Sequence, residues 1–213
     1  MERPAAQSAA RSGRSRLVAA AAHALAGSID ALTVVLVEGV SDQAAVEALA
    51  ERRGLDLVAD GVAVVPMGGA TNIASFLEAF GPQGRDLRLA GLCDAREERD
   101  FQRGLERAGL GTHLGRADME SLGFYVCVAD LEDELIRSLG AARVEQVVEA
   151  QGELGSFRTL QKQAVQQRRT HEEQLWRFMG TRGGRKIRYA RLLVEALDLA
   201  HVPRPLDRLL AHV

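Results

Sequence analysis

TVVLVEGVSDQAAVEALAERR, residues 33–53, decides the fold. Its first five residues form a continuous apolar, β-branched run. Continuous rather than alternating hydrophobicity is what a strand covered on both faces requires, and such strands lie inside parallel sheets. Glu38-Gly39 then breaks the run, and Ser41 opens a helical pattern that continues to Arg53. The stretch therefore reads as a buried strand, a tight turn and a helix.

Outward from it the same unit recurs. VAVVP (62–66) passes through Met67-Gly68-Gly69 into a helix expected over 71–80, and LRLAGLC (87–93) passes through Asp94 into one expected over 97–108. FYVCVA (124–129) then meets Asp130 and a helix expected over 131–139. Four strands alternating with helices imply an α/β fold, a Rossmann-like four-stranded parallel sheet with flanking helices. After Gly140 the β-branched runs stop, and helices are expected over 142–151, 157–167, 171–179 and 187–199, with a short piece after Pro205. The expected organisation is a disordered lead-in over 1–16, the sheet domain over 17–140 and a basic helical C-terminal extension over 141–213.

A chain of 213 residues, 46% of them hydrophobic, can bury one good core. It contains no apolar run of about 18 residues, so no membrane span is expected. Cys93 and Cys127 sit inside strand-like runs without a CxxC partner or nearby His, which suits a reducing cytoplasm better than zinc or a disulfide framework. The net charge of -2 conceals an asymmetry: residues 155–213 hold 12 Lys/Arg against 5 Asp/Glu, and the remainder 15 against 24. Such a split suits an acidic metal cleft beside a surface for a polyanion, although a solvated Arg-rich helical face gives the same count. Lys162 and Lys186 are the only lysines.

In an open parallel sheet ligands gather at the carboxyl ends of the strands. Glu38, Asp94 and Asp130 stand at such ends, Asp42 opens the first helix, and Glu132 and Glu134 follow the fourth strand. Carboxylates packed together raise one another's pKa, and a divalent cation between them resolves the conflict. Oxygen ligands without His or Cys favour a hard ion, Mg²⁺ with Mn²⁺ as a substitute. An acid after a strand is also an ordinary helix cap, which accounts for Asp130 and can account for Asp42. A Glu ending an apolar run before Gly makes a poor cap, so Glu38 is better explained by a task. Gly68-Gly69 before Thr71-Asn72 either offers backbone N–H groups to a phosphate or forms a turn and cap. Trp176, with Phe178 and Met179, is expected to pack a helix on its neighbours, base stacking being the alternative.

VVLVEGVSDQAAVEAL (34–49), VVPMGGATNIASFL (64–77), LAGLCD (89–94) and YVCVADLEDEL (125–135) together resemble the TOPRIM domain of topoisomerases, primases and recombination nucleases, in particular that of OLD (overcoming lysogenisation defect) family nucleases. The resemblance covers residues 32–140 and, more weakly, extends to 199. It implies a two-metal phosphodiester site with Glu38, Asp42, Asp94 and Glu132 as metal ligands. Lys186 supplies a positive group, with Lys162 as runner-up. Two departures stand out. The DxD after the third strand is here Asp94-Ala95-Arg96, so Glu97 or Glu98 must supply the second acid if it is supplied at all. No GxxxxGK[ST] occurs, so the ATPase common in OLD proteins must come from a separate chain.

The expected function is metal-dependent phosphodiester chemistry on nucleic acid, DNA before RNA, as an endonuclease or nickase. Glu38, Asp94 and Lys186 serve catalysis, and Asp130 and Glu134 are supporting acids. Arg182, Arg185 and Arg188 contact the backbone, which positions a strand without reading its sequence. A catalytically degenerate module that binds nucleic acid or a partner ATPase is the alternative, and nucleotidyl transfer a further one. A homodimer is compatible with all three.

Overall fold

A computed structural model describes the backbone of residues 4–213 and, apart from residues 4–12 and 14, their side chains. Strands β1 (Thr33–Val37), β2 (Val62–Pro66), β3 (Arg88–Cys93) and β4 (Phe124–Val126) form one parallel sheet in the order β2-β1-β3-β4. β1 lies inside, pairing Val35 with Val64 on one side and with Ala90 on the other. All five of its residues are buried. Val35 and Val37 enter one apolar cluster, and Val34 and Leu36 the other. The continuous apolar run thus records a strand with a core on each face.

Helices α1 (Pro4–Ser28), α3 (Ile73–Phe80) and α4 (Glu98–Arg107) cover one face. The other is covered by α2 (Val40–Arg52), α6 (Leu131–Leu139), α7 (Ala141–Ala150), α8 (Leu154–Gln161), α9 (His171–Met179), α10 (Arg185–Ala196) and α11 (Arg204–His212). Residues beyond Gly140 share this core: Tyr189, Leu193, Leu206 and Leu209 are fully buried in the same cluster as Val35. Arg52 locks α10 in place, its guanidinium donating to the carbonyls of Val194 and Leu197 at 2.7 and 2.8 Å. Both lie at the C-terminus of α10, where carbonyls run short of intrahelical donors.

Several expectations are corrected. Helix α1 occupies residues 4–16, where a disordered lead-in was expected; residues 1–3 lie outside the described residues. Its Ala-rich second half explains the helix, because Ala22 and Ala26 lie buried in the α3 core and Arg85 donates to the carbonyls of Ala26 and Ile29 at its end. Helix α5 (Arg116–Ser121) was not foreseen, since Met119 is its sole buried residue and leaves no apolar period. β4 is shorter than its apolar run: Cys127 still pairs with Cys93 O, but the Val128 N–H turns to the Glu134 carboxylate at 2.7 Å. Helix α8 ends at Gln161 rather than near residue 167, and the Gln174 side-chain amide takes up the carbonyls of Gln166 and Arg169 in the turn that follows. Among the described residues no helix is long and apolar enough to cross a membrane, and both cysteines are free and buried.

Gly91 in β3 leaves no room for a side chain. A Cβ there would stand 2.8 Å from the Leu36 carbonyl oxygen and 2.8 Å from the Phe124 ring. Gly91→Ala is therefore expected to lower unfolding stability by about 1–3 kcal/mol, measured by urea denaturation. An unchanged midpoint would show that β1 and β4 can separate without cost.

Candidate metal centre

The ends of β1 and β3 and the starts of α2 and α10 enclose a cleft of about 250 Å³ lined by Glu38, Gly39, Ser41, Asp42, Gly68, Gly69, Asp94 and Lys186. Glu38 follows the last residue of β1, and its backbone carbonyl accepts the Gly69 N–H at 3.0 Å. Gly68 and Gly69 have φ of 70° and 127°, where an L side chain is strained, so this close return of the chain beneath Glu38 needs glycine. Asp42, in the first turn of α2, accepts the Gly39 N–H at 2.9 Å. It is thus cap and cleft wall at once. Buried Ser41 also lines the cleft; the EGVSD stretch was the signal for it, although it was not singled out.

Glu38, Asp94 and Glu97 offer carboxylate oxygens that all lie within 4.8 Å of one another. Of the two acids considered for the missing DxD position, Glu97 is the one that approaches Glu38 and Asp94. Its Oε2 is buried without a hydrogen-bond partner. Glu98, one residue on, points to Arg116, with 2.5 Å between Oε2 and Nη2. The difference is positional: Glu97 is the residue before α4, whereas Glu98 is its first residue and faces α5.

Electrostatics reflect the crowding. Burial first, then Glu38 and the neighbouring carboxylates, pushes Asp94 up to about 8. Burial, followed by Glu97 and Asp42, raises Glu38. Burial raises Asp42 despite its hydrogen bond from Gly39. Glu132 is nearly inaccessible and burial pushes it up to about 7, while Lys186, 3.1 Å from its Oε2, works in the opposite direction. Burial disfavours the Lys186 ammonium, but Glu132, Asp42 and Asp130 together hold it charged. Glu132 is therefore joined to the cleft through Lys186 and is not among the three acids that converge most closely. Lys162 is exposed at the end of α8 and does not line the cleft.

Other expected site residues have structural employment. Asp130 caps α6 by accepting the Asp133 N–H at 2.8 Å, and its other oxygen accepts the Trp176 indole N–H at 2.8 Å. Glu134 accepts the Val128 N–H and pairs with Arg137 at 2.8 Å. Gly69 donates its N–H to Glu38, so this half of the Gly-Gly pair is not free for a phosphate. Arg185, expected on the nucleic-acid surface, is 4% exposed. Its guanidinium lies 4.0 Å from the Phe178 ring centroid and bonds Phe178 O, Thr181 and Glu153. Arg188 is half exposed and tied to Glu153 at 2.7 Å, and Arg182 is exposed beside it.

Comparison with known proteins places this geometry. Residues 31–94 match the model of the overcoming lysogenization defect protein-like TOPRIM domain. The C-terminal region of the Xanthomonas campestris pv. campestris OLD protein superposes with a TM-score of 0.69 at 25% identity, covering 86% of this chain and 92% of that one. The C-terminal region of the Burkholderia pseudomallei OLD protein gives a TM-score of 0.65 at 20% identity, covering 85% and 96%, a likeness of fold. No curated protein sequence matches the chain.

A carboxyl group whose folded pKa is raised favours folding below its unfolded pKa, and that contribution is lost as pH rises through the folded value. For Asp94 the window runs from about 4 to about 8. In EDTA the protein is expected to melt several degrees lower at pH 8.5 than at pH 6, and Asp94→Asn is expected to remove much of that difference. Parallel melting curves for the two proteins across this range would contradict the assignment.

Proposed function

Because residues 31–94 form an OLD-like TOPRIM domain, we propose that this chain hydrolyses phosphodiester bonds in nucleic acid, DNA in preference to RNA, with Mg²⁺ as its ion and Mn²⁺ as a substitute. One observation carries the reading. Three carboxylates converge within 4.8 Å, and one of them buries an oxygen that has no hydrogen-bond partner. A buried polar atom of that kind is costly unless a ligand completes it. The all-oxygen donor set fits a hard divalent cation. A divalent cation bound there lowers the pKa of water and neutralises charge developing on the phosphoryl group.

The residues have separable tasks. Glu38, Asp94 and Glu97 hold the cation, with Asp42 on the adjoining wall fixed by the Gly39 N–H. Glu132 is a positioning residue: buried and 3.1 Å from the ammonium, it keeps Lys186 at the cleft. There Lys186 can face a non-bridging or leaving oxygen of the substrate. Arg182 and Arg188, on the outer turn before and within α10, are the arginines left to meet the phosphate backbone; Arg185 holds that turn together instead. An ATPase supplied by another chain and assembly as a homodimer both accord with this reading.

Arg96, which stands where DxD has its second acid, favours a second reading: a catalytically silent module that binds nucleic acid or a partner ATPase. The position of Glu97 speaks for activity, and experiment separates the two. Purified protein in Mg²⁺ or Mn²⁺ is expected to nick supercoiled plasmid. Glu38→Gln and Asp94→Asn are expected to lower the rate about 100-fold or more, and Glu97→Gln about 10- to 100-fold. Glu98→Gln should leave the rate unchanged. An inert wild-type chain that still binds DNA in EDTA would establish the silent module, and full activity in Glu97→Gln would remove Glu97 from the centre.

A further inference from the structure

Beside the acidic cleft lies a groove of about 720 Å³, walled by Ala95, Val128, Ala129, Ile136 and Trp176. Val128 is 66% exposed and Trp176 38%, so the groove presents apolar and aromatic surface to solvent next to the polar centre. Phe178 and Met179 of α9 are buried, while Trp176 packs its polar edge against Asp130 and leaves part of its surface to the groove. Taking the nucleic-acid reading above as its premise, we propose that this groove is a base-binding subsite in which Trp176 stacks on a nucleobase of the strand whose backbone lies at the acidic cleft.

The ring is held for such a role. Its Nε1–H donates to Asp130 Oδ2 at 2.8 Å, and the other Asp130 oxygen is bound to the first turn of α6. An aromatic ring fixed by its polar edge offers stacking area at little entropic cost. Shared residues link the groove to the centre: Trp176 lines a small cavity together with Glu132 and Lys186, and Lys186 also lines the acidic cleft.

Charge decides which part of a nucleotide fits. Asp130, Asp133, Glu172 and Glu173 outnumber Arg96 and Arg137 along the groove. A phosphate is repelled from such a wall. An uncharged planar ring whose amino groups can donate to an exposed carboxylate is not. Stacking on one aromatic ring tolerates every base, so the subsite would hold and orient a strand without selecting sequence.

Trp176 is the single tryptophan of the chain, so its fluorescence reports this groove alone. The wild-type protein is titrated, in EDTA and again in Ca²⁺, with a short single-stranded oligodeoxynucleotide and with an abasic oligomer of equal length. The base-bearing strand is expected to quench the emission and to bind about 5- to 100-fold more tightly than the abasic one. Trp176→Ala is expected to reduce the first affinity to the second without altering the second, and Trp176→Phe to retain most of the preference. Equal affinity and equal quenching for the two strands would overturn the subsite while leaving nucleic-acid binding intact. Binding of neither strand in either buffer would overturn the subsite together with the reading it rests on. The wild-type comparison stands even if removing the indole from Asp130 unfolds α9.

Discussion

Like charges at close range are the constraint on which this structure turns. Glu38, Asp94 and Glu97 bring three carboxylate oxygens within 4.8 Å, and Asp42 shares their cleft. Burial first, and then the charge of Glu38 and the other neighbouring carboxylates, favours the protonated form, so that Asp94 is pushed up to about 8. The surroundings reduce the conflict in two ways that the structure makes visible. Asp42 is drawn onto the Gly39 N–H, and Lys186 is brought over the cleft by a nearly inaccessible Glu132. Neither reaches the Glu97 oxygen that has no partner.

The fold supplies the rigidity that makes this tolerable. β1 is buried on both faces and paired on both edges, so Glu38 leaves a strand that cannot move aside to relieve repulsion. β3 delivers Asp94 from the adjacent position, with Gly91 allowing β1 and Phe124 to close on it. From the other end, α10 brings Lys186 from more than a hundred residues away. Arg185 beside it is buried on Phe178 and bonded to Glu153, which fixes the turn from which Lys186 departs. Two neighbouring cations thus have opposite roles, one spent on the scaffold and one presented to the cleft.

What the sequence disclosed follows from which features are local. The strands were legible because their apolar runs are continuous, and α6 and α9 were legible to the residue because Asp130 and Thr170 cap them. The placement of Glu38, Asp42 and Asp94 followed from strand ends, a topological rule that needs no coordinates. Which of the two acids after Arg96 approaches Glu38 and Asp94 was not legible. Glu97 and Glu98 are adjacent and chemically alike, and their division of labour depends on Arg116 from α5, a helix without an apolar period. Arg185 was misread for the same reason: net charge shows that an Arg-rich segment is basic, but not which guanidinium is itself buried against a partly covered carboxylate. Helix α1 was missed because alanine forms helix without a periodic signal.

Asp130 shows why a structural and a functional account of one residue need not compete. It is a helix cap, as its position after a strand suggests, and both oxygens are engaged. Yet the second bond fixes Trp176, the residue that faces the groove beside the cleft. Asp130 also lies close enough to Asp94 and Asp42 for its charge to raise their pKa. A single carboxylate therefore couples the start of α6, the setting of α9 and the potential at the centre. Removing its charge would ease the crowding at Asp94 but release the indole, so geometry and electrostatics at this site cannot be changed independently.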